Sequence, residues 1–338
     1  MSPEEREKEY RRMQSVFKKD SRIKECFHHN KEECEGKIKQ SHSIQRNGRL
    51  SIIEGEVNGN QSIYTFTSFK SSPERMLQSL VPIGKKEAST FFGFCDYHDT
   101  NLFSPIENFE FDDSDEHLFL HSYRSFAHSY HRKQEEVNIY SNPESDFIKT
   151  LPPQFVDTFI EGLQMGVNDV KPHKESLDKA LDNKEYDYLE YLVYEKDGLY
   201  PFAVSSGMSP RVSYSGKPMN NHVDETLPWS MPLITFLPDK AKTFVIIAAF
   251  PDDKNAVNLL DELYELNDYQ LERAITSLII ANCENTFFSP KVWRKMSDKQ
   301  KRELLNEFEI NTNGMQYRDK FFHSRFNFFS DFFEISNL

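Results

Sequence analysis

The chain has 338 residues, 38% apolar and 28% charged, with 29 Phe and 15 Tyr, which suits a folded chain of about two domains and excludes collagen-like, linker-like and wholly disordered classes. Its net charge of −13 is unevenly spread: residues 1–50 hold 13 Lys/Arg against 9 Asp/Glu, net +4, which leaves −17 for the remaining 288. A phosphate-binding coat over the whole surface is excluded, and a nucleic-acid contact is expected only in the first part of the chain.

Residues 3–20, rich in Glu, Arg and Lys, are expected to form a short solvated helix. Cys26 to His42 follows with two Cys, three His and no helical period. Leu50 to Phe69 predicts a hairpin, Ser51–Val57 and Ser62–Phe66 flanking the turn signal Asn58-Gly-Asn-Gln61. Ser71 to Lys86, with Pro73, Pro82 and Gly84, reads as loop, and Ala88 to Phe94 as a short apolar segment running into Cys95-Asp-Tyr-His98-Asp99.

Asp112-Asp-Ser-Asp115 supplies helix-start residues for a helix over Leu118 to Glu136, broken by Asn142-Pro143 and Leu151-Pro-Pro153. Phe155 to Asp187 predicts a helix in two pieces, interrupted near Lys171-Pro172. Leu189–Tyr194 and Phe202–Ser205 read as strands, and Leu233–Leu237 with Thr243–Phe250 as a hairpin around Pro238–Lys242. Helical periods return at Ala256–Tyr264 and Leu271–Ile279, and Ser297-Asp-Lys-Gln300 fits a capping box before a last helix. The expected fold is α+β: a small zinc-stabilised N-terminal module over residues 1–110, then a larger helix, antiparallel-sheet and helix domain over 111–338.

No stretch reaches roughly 18 uncharged apolar residues, so no membrane partner is expected. The charged N-terminus lacks the apolar run of a secretory signal, and the expected location is the reducing cytoplasm. There, four Cys are better suited to metal ligation or core packing than to disulfides.

Three of those four, Cys26, Cys34 and Cys95, lie in the first third of the chain, and Cys95 forms a Cys-x2-His pair with His98. Zinc takes four such ligands in a tetrahedron. A segment with few apolar residues gains most from such a staple. His28, His29 and His42 are competing ligands, and small buried thiols are the alternative reading.

A Cys pair, a short His-bearing segment, a hairpin-like stretch and Cys-x2-His followed by a polar residue resemble a treble-clef HNH (ββα-metal) module over about residues 22–107. Ser41-His42-Ser-Ile44 matches that family's Asp-His-Ile segment, with Ser41 in place of the acid. Phe94-Cys95-Asp-Tyr-His98-Asp99 matches its Leu-Cys-x-x-Cys-His segment. The resemblance implies a structural Zn²⁺ on the cysteines, His42 as general base and Asp99 as ligand of a catalytic Mg²⁺ or Mn²⁺. It also implies a nuclease, a hydrolase of a defence or mobile-element type. Lys37, Lys39, Arg46 and Arg49 flank His42, where they either meet nucleic-acid phosphates or form a solvated basic loop. The rival expectation is a non-catalytic zinc module attached to an acidic domain that binds a protein or small ligand.

Arg124-x6-His131 and Arg124-x3-His128 match the loose spacing of HEPN-type ribonucleases, a match that 11 His make easy by chance. Asp252-Asp253 reads as a helix cap and Cys283 as the end of a buried helix. No phosphate-cradling Gly loop or dinucleotide fingerprint is present, so ATP, NAD and flavin are not implied.

Overall fold

The computed structural model describes residues 22–67, 79–142, 152–220, 229–312 and 319–337, with Glu5, Lys8, Arg12, Lys19 and Lys149 besides. Apart from Glu5, Lys8, Arg12 and Lys19, the helix expected over 3–20 lies outside the described residues, as do the first half of the Ser71–Lys86 loop and Pro143. In chain order the elements begin β1 (Ile38–His42), α1 (Arg49–Ile53), β2 (Gly55–Val57), β3 (Asn60–Thr67), β4 (Ser79–Ile83), β5 (Thr90–Cys95), α2 (Asp96–Leu102), α3 (Ser104–Asn108), α4 (Asp115–Tyr140) and α5 (Pro153–Asn183). They continue β6 (Glu190–Asp197), β7 (Phe202–Gly207), β8 (Leu233–Asp239), β9 (Lys242–Ala249), α6 (Lys254–Tyr264), α7 (Asp268–Asn282), β10 (Thr286–Phe288), α8 (Pro290–Lys295) and α9 (Asp298–Thr312).

Strand β9 shows how these elements are layered. Val245, Ile247 and Ala249 join one core with Leu259, Leu263, Ile275 and Leu278 of α6 and α7. Ala248 and Phe250 join another with Phe126 of α4 and Val170 and Leu177 of α5. Successive side chains of a strand point to opposite faces, so a strand covered on both faces reads as one continuous apolar run. The sheet has eight strands in the order β2-β3-β10-β7-β8-β9-β6, with β4 on β3, and helices lie on both faces. A separate two-stranded pair, β1 with β5, leads directly into α2. Every named pairing among the described residues is antiparallel. Strands on both sides of residue 110 thus share one sheet, and Cys26, Phe27, Phe94 and Cys95 share a core with Phe119, Tyr123 and Phe126.

The structure departs from the sequence reading at three places. Ser51–Ile53 belongs to helix α1, not to a strand, because Leu50 and Ile53, three apart, are both fully buried against Ile63 and Phe287. The turn at Asn58 and Gly59 does close a hairpin, with φ of 51° and 79°, but its first strand is only three residues long. Ser79–Ile83, expected as loop, is strand β4 with Pro82 opposite Tyr64; an edge strand tolerates the missing proline donor. Helix α5 runs through Pro172 without a break. Val170 is fully buried on one side, and His173 on the other stacks on Phe250 at 3.9 Å, packing that outweighs the roughly 3 kcal/mol cost of an internal proline.

Other expectations match. Asp253 caps α6 by accepting from the Ala256 amide, and Ser297 and Gln300 exchange both capping-box bonds at the start of α9. Cys283 ends α7 and is buried. No helix among the described residues is long and apolar enough to cross a membrane.

Candidate metal centre

Cys26, Cys34, Cys95 and His98 come together although up to 72 residues separate them in sequence. Their ligand atoms all lie within 4.8 Å of one another, the one group of three or more such atoms among the described residues. His98 Nδ1 stands 3.4 Å from Cys26 Sγ, 3.7 Å from Cys34 Sγ and 3.2 Å from Cys95 Sγ. Tetrahedral zinc with Zn–S of about 2.3 Å and Zn–N of about 2.0 Å requires S···N separations of about 3.5 Å. The spacing therefore fits zinc, and the four-ligand set leaves no open position, which marks a structural and not a catalytic centre.

Local structure brings each ligand to this point. Cys95 ends β5 and caps α2, its sulfur accepting from the His98 amide at 3.4 Å, so that Cys95 and His98 flank the first turn of the helix. Cys26 accepts from the Cys95 amide at 3.4 Å. Asn30 caps a 3-10 turn over Lys31–Glu33 and delivers Cys34. The chain then turns at Gly36, φ +74°, where an added Cβ would lie 2.6 Å from the Asp96 Cβ. That close approach lets the Tyr97 amide donate to the Glu35 carbonyl, and the Lys37 amide donate to Asp96 Oδ2 at 3.1 Å. The two halves of the ligand set are locked by main-chain bonds before any metal is considered.

Burial pushes the Cys26 thiol up to about 12. At Cys95 burial acts in the same direction, but the amides of His98 and Glu35 outweigh it and hold the thiol below its ordinary range. Burial also lowers the pKa of His98, favouring the neutral imidazole that ligates metal. A bound cation reverses the burial penalty on the thiols, because ligation takes their protons. Lys31, whose ammonium group donates to the Cys26 carbonyl, brings a positive charge beside the thiolates such a cation would create. The imidazole's far nitrogen, Nε2, is buried without a hydrogen-bond partner in the protein; the half-exposed Glu33 carboxylate lies 3.9 Å away, beyond hydrogen-bond distance.

The competing histidines stand outside this set. His28 stacks on His98 at 3.9 Å, and its Nδ1 accepts from the Asn30 amide. His29 Nε2 pairs with Asp182 of α5 at 2.9 Å. His42 closes β1, its Nδ1 3.0 Å from the Ala88 carbonyl. Burial takes the His42 imidazole down to about 4, and the charges of Arg124 and Arg46 act in the same direction. Asp99 lies in α2, and burial raises its pKa against the opposing charge of Arg124.

The basic segment around His42 is only partly a surface. Arg46 is exposed, whereas Lys39 is engaged by Asp96 at 3.1 Å. Arg49, a surface residue under either reading of the basic segment, is instead 3% exposed and paired with Asp239 at 3.0 Å; the turn of α1 directs it inward beside fully buried Leu50. The Arg124-x6-His131 pair occupies one face of α4, but the two side chains have separate partners, Glu107 for Arg124 and the Ile23 carbonyl for His131. Sequence reading missed Gly36, for which a glycine two residues beyond Cys34 was the available signal.

Compared with known protein families, curated proteins and solved structures, the chain matches none.

Proposed function

We propose that zinc held by Cys26, Cys34, Cys95 and His98 staples a ββα unit of the treble-clef, HNH-like kind, and that this unit hydrolyses phosphodiesters in nucleic acid. The observation that carries this reading is the antiparallel β1–β5 pair running into α2, with His42 closing the first strand and Asp99 on the helix. Donation from His42 Nδ1–H to Ala88 leaves Nε2 as the basic nitrogen. Burial keeps the imidazole unprotonated, and the negative charge of an arriving phosphate raises its basicity again. His42 then accepts a proton from the attacking water. Asp99 is the residue to hold Mg²⁺ or Mn²⁺, and a cation there supplies charge stabilisation for the phosphoryl group.

The test is cleavage of single- and double-stranded DNA and RNA with Mg²⁺ or Mn²⁺. His42→Ala and Asp99→Ala should each abolish cleavage while zinc content and fold are kept, whereas His98→Ala should lose zinc. A wild-type protein that cleaves none of these substrates would overturn the catalytic reading. The scaffold reading would replace it: a structural zinc module on an acidic domain that binds a protein or small ligand, in keeping with the −17 charge of residues 51–338 and with Ser41 where the family has an acid.

A further inference from the structure

The outward face of the β1–β5 pair carries its own row of side chains. His42 stands opposite Thr90 in the ladder, and opposite residues of an antiparallel pair share a face. Gln40, two residues before His42, lies on that same face and donates to Thr90 Oγ1 at 2.9 Å. The register slips here: Lys39 pairs with Phe94 and Ser41 with Phe91, so Phe92 and Gly93 both stand against Gln40. Phe92 is the next side chain of the row, about 7 Å from Thr90 along the strand. Ser41 and Phe91, on the other face, are buried.

Two cations are set on the Phe92 ring. Arg22 Cζ lies 4.8 Å from the ring centroid and Lys24 Nζ 5.2 Å, and both side chains are exposed. The segment that bears them is pinned along β5. The Ile23 carbonyl, between the two, lies 3.2 Å from His131 Nε2, and the Phe27 amide donates to the Gly93 carbonyl. Neither cation has a carboxylate partner among the described residues. The acids nearby are engaged elsewhere: Glu25 pairs with Lys31 at 3.1 Å, and Glu135 with Arg132 at 2.6 Å, while Arg132 also donates to the Thr90 carbonyl at 3.2 Å. Glu87 contributes its main-chain carbonyl, which accepts from Thr90 Oγ1. Two like charges held on one ring repel each other, and an anion that bridges them removes that cost.

We propose that Arg22, Lys24 and Phe92 form a subsite for a single nucleic-acid strand, holding backbone phosphates next to the one cut at His42. This deepens the hydrolytic reading and rests on it for the role of His42. Positive charge beside an aromatic ring is the general means of holding an unpaired strand, whose backbone the cations track. The surface offers one such row. Lys39 is turned to Asp96 and Thr100 on α2, and Arg49 is buried on Asp239, so neither supplies the second row that the other backbone of a duplex would meet. The contact thus moves from the segment around His42 to the residues that precede Cys26.

The probe is a fluorescein-labelled single-stranded DNA of mixed sequence, its anisotropy followed as the full zinc-loaded chain is added without Mg²⁺ or Mn²⁺ over a range of salt. Wild type should bind it saturably, and more tightly than a duplex of the same sequence. Arg22→Gln with Lys24→Gln should weaken binding about tenfold at low salt and reduce the slope of log K against log[salt] by about 1.4, about 0.7 for each lost phosphate contact. Lys295→Gln with Lys299→Gln, an equal loss of charge from exposed positions of α8 and α9, should leave both unchanged. Zinc content and circular dichroism check the fold, and if the first double variant does not fold, Lys24→Gln alone decides, with a slope change of about 0.7. No saturable binding by wild type, tighter binding of the duplex, an unchanged slope in the folded variant, or equal losses in the two double variants overturns the subsite. Strand binding that follows Arg22 and Lys24 in a protein that cleaves nothing overturns the hydrolytic reading and leaves the subsite standing. Cleavage that His42→Ala abolishes, with strand binding indifferent to Arg22 and Lys24, does the reverse.

Discussion

In the central sheet, Val245, Ile247 and Ala249 alternate with Ile246, Ala248 and Phe250, and apolar side chains fill both faces. In the corner formed by residues 26–42 and 90–102, Phe27, Phe91 and Phe94 pack toward α4, and beside them three thiols, an imidazole and a histidine stacked upon it meet at one point. The sheet spreads its stability over dozens of contacts, so that no single side chain decides the fold. The corner concentrates it on four atoms and the loop geometry that delivers them. The same kind of substitution should therefore act very differently in the two regions.

The largest effect is expected from Cys95→Ala. It removes a ligand and the cap of α2 together, and loss of a structural metal should cost more than about 5 kcal/mol. Because Cys26 and Cys95 pack in one core with Tyr123 and Phe126, the loss should spread into α4. Thermal unfolding followed by near-ultraviolet tyrosine signals, with metal content measured on the same sample, would check this; a folded, zinc-free variant with unchanged stability would break the comparison.

Phe250→Ala provides the counterpart in the sheet. The ring is fully buried, stacked on His173 and 5.8 Å from Phe126. Its removal should cost about 3–5 kcal/mol by denaturant titration while zinc stays at its full stoichiometry. Gly36→Ala sharpens the contrast, because it changes no ligand. The new Cβ meets Asp96 and the residue keeps a left-handed φ of +74°, so a cost on the order of 1–2 kcal/mol is expected, seen as faster zinc loss to a chelator.

The last effect concerns pH. Burial holds His42 at about 4 in the folded protein, below its ordinary 6.5. Between those values the unfolded chain binds more protons, so stability present above pH 6.5 is lost as pH falls toward 4. His42→Gln should flatten the dependence in that window without loss of zinc, as read from urea unfolding at pH 7 and pH 5. An unchanged pH slope would show that His42 titrates alike in both states.

Much of the sheet was legible because strand periodicity and apolar runs are local signals, as at Thr243–Phe250. The residues of the Cys/His cluster that could hold a metal were legible as residue types, since cysteines in a segment poor in apolar side chains have few other uses. What the sequence could not show depends on contacts across the chain. Arg49 reads as part of a basic surface segment until Asp239, 190 residues away, is found against it. Pro172 reads as a break until Phe250 is found beneath the adjoining His173. Arg124 reads as one of many chance Arg–His spacings until Glu107 and Phe103 hold its guanidinium beside the ββα unit.

Metal content measured by elemental analysis on protein purified without added metal tests the centre most directly. One zinc per chain in wild type, and none bound tightly in Cys26→Ser, is the expected result. Less than about half an equivalent in well-folded wild-type protein, with Cys26, Cys34 and Cys95 reacting as free thiols, would contradict it.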